Sequence, residues 1–223
     1  TTTTTMSTHT LTQVIPMNAD TFYAITESTE FDQFQIPMMG LNSIELKEER
    51  EDDNYISRKV IVKPKTSIPS FLLKFSSGTS EISYVDTQIK SKQKREIIIK
   101  TIPPLMSENI CIEGVINVEP LDDNTCLKVL RVTLSFSGSL YWISSIIESN
   151  IIAELKKSLE QLPNVVNAYK RHMEEKGLPL PVFKPAALKS SYSSGSSEHR
   201  INQSSVLGDS GTSTVLTEPM AQL

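Results

Sequence analysis

The chain has 223 residues, with 22 basic and 26 acidic side chains, three histidines and a net charge of −4. That length predicts one domain plus extra sequence, or two very small domains, and the mild acidity lacks the basic footprint of a nucleic-acid binder. Hydrophobic residues make up 38 %, low for a fully packed chain, so part of the sequence is expected to lie outside the core.

Other exclusions follow from composition. No apolar run approaches the ~18–20 residues that span a bilayer. The polar stretch Thr1–Thr10 lacks the charged-then-apolar layout of a signal peptide. Two cysteines do not make a disulfide scaffold, which points to a reducing, cytoplasmic setting. His9 falls in a polar leader and His199 in a serine-rich tail, leaving His172 for a folded core. The sequence holds no Cys/His metal spacing, no nucleophile elbow and no phosphate-binding glycine loop, so no metal and no cofactor are expected. Glu48, Glu49, Glu51, Asp52 and Asp53 cluster where a turn is expected and read as solvated charges rather than an acid–base pair.

The last 38 residues, Ala186–Leu223, contain ten serines, three glycines and five charges. Such a tract buries too little apolar surface to offset its conformational entropy. The expected organisation is a disordered leader at 1–10, a folded domain at 11–185 and a disordered tail at 186–223. Pro179, Pro181 and Pro185 form a stiff exit from the domain.

Leu11 to Pro16 reads as a short strand that the proline ends. Asn18 then offers an N-cap to Ala19–Ile25, with Asp20 where the helix dipole favours an acid. Phe31, Phe34 and Ile36 predict a second short helix that stops before Pro37. After Gly40 the period changes to two, and Ile44 and Leu46 lead into the acidic turn at 51–54. Tyr55 to Lys63 returns as the partner strand of an antiparallel hairpin.

Further strands are expected at Glu81–Lys90, Arg95–Ile102, Ile110–Glu119 and Cys126–Phe136, the last two joined by a tight turn at 121–125. In Ile110–Glu119 the even positions Ile110, Ile112, Gly114, Ile116 and Val118 share one face, as in a sheet packed on one side. That register sets Cys111 and Cys126 out of line, so no disulfide is expected between them. From Ser139 to about Lys176, Ile143, Ile147, Ile151, Leu155, Leu159, Leu162, Val166 and Tyr169 recur at helical spacing. Pro163 is expected to kink this helix and Gly177 to end it.

The order is a strand, two short helices, six strands and a long helix. It resembles the helix-grip fold of the START and birch-pollen-allergen superfamily, an α+β class in which a curved antiparallel sheet of about seven strands wraps a long C-terminal helix. Val14-Ile-Pro-Met-Asn-Ala-Asp-Thr-Phe22 looks like that family's opening. Lys63-Pro-Lys-Thr-Ser-Ile-Pro-Ser-Phe-Leu-Leu-Lys-Phe75 is similar to a proline-containing segment of PRELI-like and other START-like branches. Leu134-Ser-Phe-Ser-Gly138 resembles their last-strand-to-helix junction. The tryptophan-and-proline-rich stretch of PRELI-like proteins has no counterpart.

The resemblance implies a cavity between sheet and helix that binds a lipid or other apolar small molecule. The inward registers offer few ionisable groups beyond Arg58 and Tyr84, so binding without catalysis is expected. The resemblance also implies transfer between membranes, a transient membrane contact and a monomer. On the strands, Ile44, Leu46, Val60, Ile82, Tyr84, Ile112 and Ile116 are placed facing the interior; on the long helix, Ile147, Ile151 and Leu155 join them. The alternative for each is an ordinary place in a packed core. Arg58 interrupts the apolar row Ile56, Val60 and Val62, so a lipid headgroup, an internal salt bridge or an outward bulge must accommodate it.

Ile68, Phe71, Leu72, Leu73 and Phe75 crowd one connection and are expected either to cover the cavity mouth and touch a membrane or to fold onto the core. The four cations of Lys90-Ser-Lys-Gln-Lys-Arg95 suit an anionic bilayer or a solvated turn. Two other functions compete: a filled interaction module, and a cyclase using the same cavity.

Overall fold

The computed structural model of the protein describes residues 4–26, 28–65, 83–103 and 107–186. The chain divides into two units, Thr1–Leu188 and Lys189–Leu223, and the fold is that of the first. Its elements run β1 (Thr4–Ile15), α1 (Ala19–Ile25), α2 (Thr29–Gln35), β2 (Leu41–Glu51), β3 (Tyr55–Pro64), β4 (Tyr84–Ser91), β5 (Glu96–Ile102), β6 (Ile110–Pro120), β7 (Cys126–Ser137) and α3 (Ser144–Glu175).

Side-chain caps set the short elements. Asn18 Oδ1 accepts from the amides of Asp20 and Thr21 at 2.9 and 3.4 Å, and Ser28 Oγ accepts from Phe31 N at 3.3 Å. Each satisfies donors that a helix start leaves open. Asp52 and Asp122 build the two acidic hairpin turns alike: each Oδ1 accepts two backbone amides at 2.7 Å. The amide bonds hold the Asp52 carboxyl below the usual carboxylate range, and the Thr125 hydroxyl, donating to Asp122 Oδ2 at 2.7 Å, together with the amides does the same for Asp122.

The seven strands form one antiparallel sheet in the order β1-β7-β6-β5-β4-β3-β2. β1 and β2 therefore lie on opposite edges, and α1 and α2 carry the chain across between them. The expected loose leader at 1–10 is corrected by this arrangement. β1 begins at Thr4 and pairs along its whole length with β7, from Thr4↔Ser137 to Ile15↔Cys126. Threonine suits a pleated, half-buried surface, and pairing satisfies backbone groups along the β7 edge. His9, assigned to the leader, sits in this strand with Nε2 2.6 Å from Glu148 Oε1 on α3.

Gly138, at φ +67°, turns the chain out of β7 into a 3₁₀ segment, Gly138–Ile143, so α3 starts five residues later than expected from Ser139. An added Cβ there would meet Asn109 Nδ2 at 2.9 Å. α3 then runs continuously through Pro163 to Glu175. Gly177, at φ +64°, closes it: its amide bonds Glu174 O at 2.9 Å and that of Leu178 bonds Met173 O at 3.0 Å. This is a Schellman motif, which satisfies the last free carbonyls.

One core joins these layers. Leu159, Leu162, Val165, Val166, Tyr169 and Met173 of α3 are buried with Ile15, Phe22, Ile97, Ile116 and Leu134. The Tyr169 ring meets Phe31 and Phe34 of α2 edge-on, at 5.2 and 5.1 Å between centroids. The proline-rich exit is part of the fold: Phe183 packs on Tyr23 at 4.6 Å, and its amide donates to Asp20 O. Both cysteines are free, and Cys126 pairs with Pro120 while Cys111 pairs with Ser135. Among the described residues no helix is long and apolar enough to cross a membrane.

Candidate functional site

The sheet is curved, and registers across it place its inner face residue by residue. One rung runs Val60↔Asp86↔Thr101↔Ile112↔Leu134, and the next runs Arg58↔Gln88↔Ile99↔Gly114↔Val132. Paired residues share a face, so these rungs form the floor over which α3 lies. Between sheet and helix is a cavity of about 300 Å³. Its apolar wall comes from Ile44, Val60, Val62, Ile99, Ile112, Ile116, Leu130, Val132, Leu155 and Leu159, with Met39 and Leu41 at one side. Asp32, Gln35, Asp86, Gln88, Thr101, Lys128 and Ser158 supply polar groups.

Five of the residues expected to face the interior line this cavity: Ile44, Val60, Ile112, Ile116 and Leu155. Four others do not. Leu46 pairs with Val60, but it lies on the edge strand beside a bulge and is 39 % exposed. Tyr84 opens β4 half-buried, off the wall. Ile147 is core and Ile151 packs partly buried against it. They stand two turns and one turn N-terminal to Leu155 along α3, and the helix meets the cavity over the turn that holds Leu155, Ser158 and Leu159. Ile82 and the group Ile68, Phe71, Leu72, Leu73 and Phe75 lie outside the described residues.

Arg58 takes the salt-bridge alternative. It is 2 % exposed, with Nη2 2.8 Å from Asp32 Oδ2 and Nε 3.2 Å from Glu49 Oε2. Nη1 also donates to Gln88 Oε1 at 3.4 Å. The guanidinium is thus engaged behind the wall rather than presented to the cavity, while Asp32 and Gln88 reach the wall. Burial raises the Asp32 carboxyl above its ordinary value, and the Arg58 hydrogen bond and charge pull it back down.

The cations at 90–95 are paired within the chain, one of them buried and the others at the turn between β4 and β5. Lys90 is buried, donates to Thr26 O at 2.6 Å and Ala24 O at 3.2 Å, and lies 4.9 Å over the Tyr23 ring. It caps the C-terminal carbonyls of α1, where a cation is favoured. Lys92 pairs with Glu51 at 2.8 Å, Lys94 with Glu96 at 2.7 Å and Arg95 with Asp20 at 2.6 Å.

Sequence reasoning passes over the inner face of β4. Tyr84, Asp86, Gln88 and Lys90 alternate along one strand and are polar throughout, and three of their neighbours across the sheet are Val62, Val60 and Arg58. The signal is present: with Ile82 and Tyr84 placed inward, period two carries Asp86, Gln88 and Lys90 inward as well. Asp86 differs from the others. Its Oδ1 is buried and has no hydrogen-bond partner among the described residues. Burial raises its carboxyl above the ordinary value, with a side-chain hydrogen bond to Thr101 pulling the other way.

That shift has a stability consequence. A carboxyl with a raised folded pKa binds its proton more tightly folded than unfolded, so its contribution falls as pH rises from the unfolded value of 3.8 through the folded one. Asp86→Asn removes this slope. The variant is expected to melt about 2–4 °C above the parent at neutral pH, equivalent to about 1 kcal/mol at this size. The gap should shrink toward about pH 4. Thermal melts of both proteins across that range check it, and a gap constant with pH would contradict it.

Among the described residues no cluster of His, Cys, Asp and Glu is arranged to hold a metal ion. No family model and no curated protein matches the sequence. Solved structures do resemble the fold. A Thermus thermophilus protein is 12 % identical with a TM-score of 0.53, over 73 % of this chain and 99 % of that one. The Zhui aromatase/cyclase of Streptomyces sp. R1128 is 12 % identical with a TM-score of 0.52, over 78 % and 100 %. Ara h 8.0201 is 11 % identical with a TM-score of 0.51, over 74 % and 99 %. The seven-stranded antiparallel sheet, the two short helices after β1 and the long C-terminal helix give the chain a helix-grip fold, the fold it shares with these structures.

Proposed function

We propose that the chain binds a compact, largely apolar small molecule in the cavity between sheet and α3, and carries it without converting it. The observation behind this is the cavity itself, about 300 Å³ with an apolar wall and a few polar groups. Ligand sites have that character, and this volume stands at the lower end of their range. The size suits a single-chain or single-ring-system molecule better than a two-chain lipid.

Non-catalytic binding is favoured by the cavity's ionisable groups. Asp32 is tied to Arg58, and the other ionisable side chains among the described residues of the cavity lining, Asp86 and Lys128, stand three strands apart, too far to pass a proton directly. A cyclase-type enzyme is the second reading, and the raised Asp86 carboxyl is the feature that supports it. Native mass spectrometry of the purified full chain separates the outcomes. An apolar adduct released unchanged after incubation supports carriage, and a mass change in the released molecule supports conversion. Absence of any adduct, together with failure to bind a neutral apolar dye, would end both. Passage of a lipid between membranes is the finer form of the carriage reading. It rests on the likeness of fold and predicts faster movement of a single-chain fluorescent lipid between vesicles.

A further inference from the structure

Asp86 sits on the cavity wall between Val60 and Thr101, its direct partners on β3 and β5. One carboxyl oxygen is buried without a hydrogen bond among the described residues. A buried acceptor left unmet costs free energy, and native interiors rarely keep one without a reason. The cations on the same face are directed elsewhere. Arg58 contacts Asp32, Glu49 and Gln88, and Lys90 donates to the carbonyls ending α1. Lys128 lies three strands away on β7, on the order of 15 Å across the sheet at about 4.8 Å per strand.

We propose that Asp86 anchors the bound molecule, and that this molecule carries a hydrogen-bond-donating head, an amine or a hydroxyl, on an otherwise apolar body. This rests on the cavity being the ligand site. The terminal torsion of an aspartate is soft, and a half-turn about it exchanges the two carboxyl oxygens. A donor arriving from the cavity therefore completes the carboxyl while the Thr101 bond is kept. A protonated amine adds the counter-charge that the carboxyl lacks and forms the stronger, charge-assisted bond. An anionic head meets repulsion instead, and a headless hydrocarbon leaves the acceptor unmet.

The test uses the full chain and four probes with one tail: octylamine, octanol, octanoate and octane, each displacing a bound neutral apolar dye. Octylamine and octanol are expected to displace it at about 10–100-fold lower concentration than octanoate, the range of one hydrogen bond to a charged group. Octylamine ahead of octanol assigns the head as a cation, and the reverse order assigns it as a neutral hydroxyl. In Asp86→Asn the advantage of amine over alcohol should vanish. In Asp86→Leu the preference for a donor head should vanish altogether. Equal displacement by all four probes, or an unchanged ranking in both variants, overturns the role of Asp86 while the cavity remains a ligand site. Failure of the dye and every probe to bind removes the cavity reading and this one together.

Discussion

Replacing Arg58 with methionine is expected to destabilise the protein by about 3–5 kcal/mol, the cost of leaving a buried charge without its partner. Asp32 would be that charge. Its side chain is 6 % exposed, and the Arg58 guanidinium 2.8 Å away is the cation that meets it. Asp32→Leu alone should cost a comparable amount, because it removes the buried carboxylate that meets the guanidinium, Glu49 beside it being half-exposed at 48 %. The double variant Arg58→Met, Asp32→Leu is expected to recover most of the loss, since apolar side chains can replace a buried ion pair at little net cost. Chemical denaturation of the four proteins gives the coupling directly. Additive losses in the double variant would show that the two charges do not act as a pair.

Filling the cavity from β6 is expected to abolish ligand binding with little loss of stability. Gly114 lies on the wall between Ile99 and Val132. A Cβ there meets Leu130 Cδ1 at 3.4 Å and Arg131 O at 3.5 Å, ordinary van der Waals contact. Gly114→Leu would project a branched apolar side chain into a space of about 300 Å³. Burying that side chain stabilises by about 1.5–3 kcal/mol, and crowding costs about 1–3 kcal/mol, so the two largely cancel. A neutral apolar dye should bind at least about tenfold more weakly, equivalent to about 1.4 kcal/mol. Unchanged dye affinity in a folded Gly114→Leu protein would place the ligand elsewhere.

The elements themselves are legible along the chain. Period-two alternation in Ile110–Glu119 marks the inner face of β6, and eight apolar residues at helical spacing mark α3. Asn18, the turn acids and Gly177 mark ends because their side chains or backbone freedom act locally. β1 reads short in the sequence because polarity in Thr4–Thr10 looks like looseness, whereas that segment is held by pairing with a strand about 120 residues later in the chain. Five cavity residues follow from alternation and the expected grip of sheet on helix. Ile147 and Ile151 fall elsewhere because a cavity this small meets about one turn of α3, the one that holds Leu155, Ser158 and Leu159.

The inner face of β4 shows where reading along the chain stops. Alternation alone carries Asp86, Gln88 and Lys90 inward, yet nothing local distinguishes their fates. Lys90 meets carbonyls 64 and 66 residues away, Gln88 meets Arg58, and Arg58 meets Asp32 across the cleft between α2 and β3. Asp86 keeps an oxygen unmet among the described residues. Which segments are strands and helices, and which side of each is apolar, can be read along the chain, because periodicity and capping are local properties of it. Which buried polar groups find partners, how much space remains between sheet and helix, and that Asp86 lies against that space emerge only once the chain is folded. Those outcomes depend on distances between residues far apart in sequence, which no local pattern encodes.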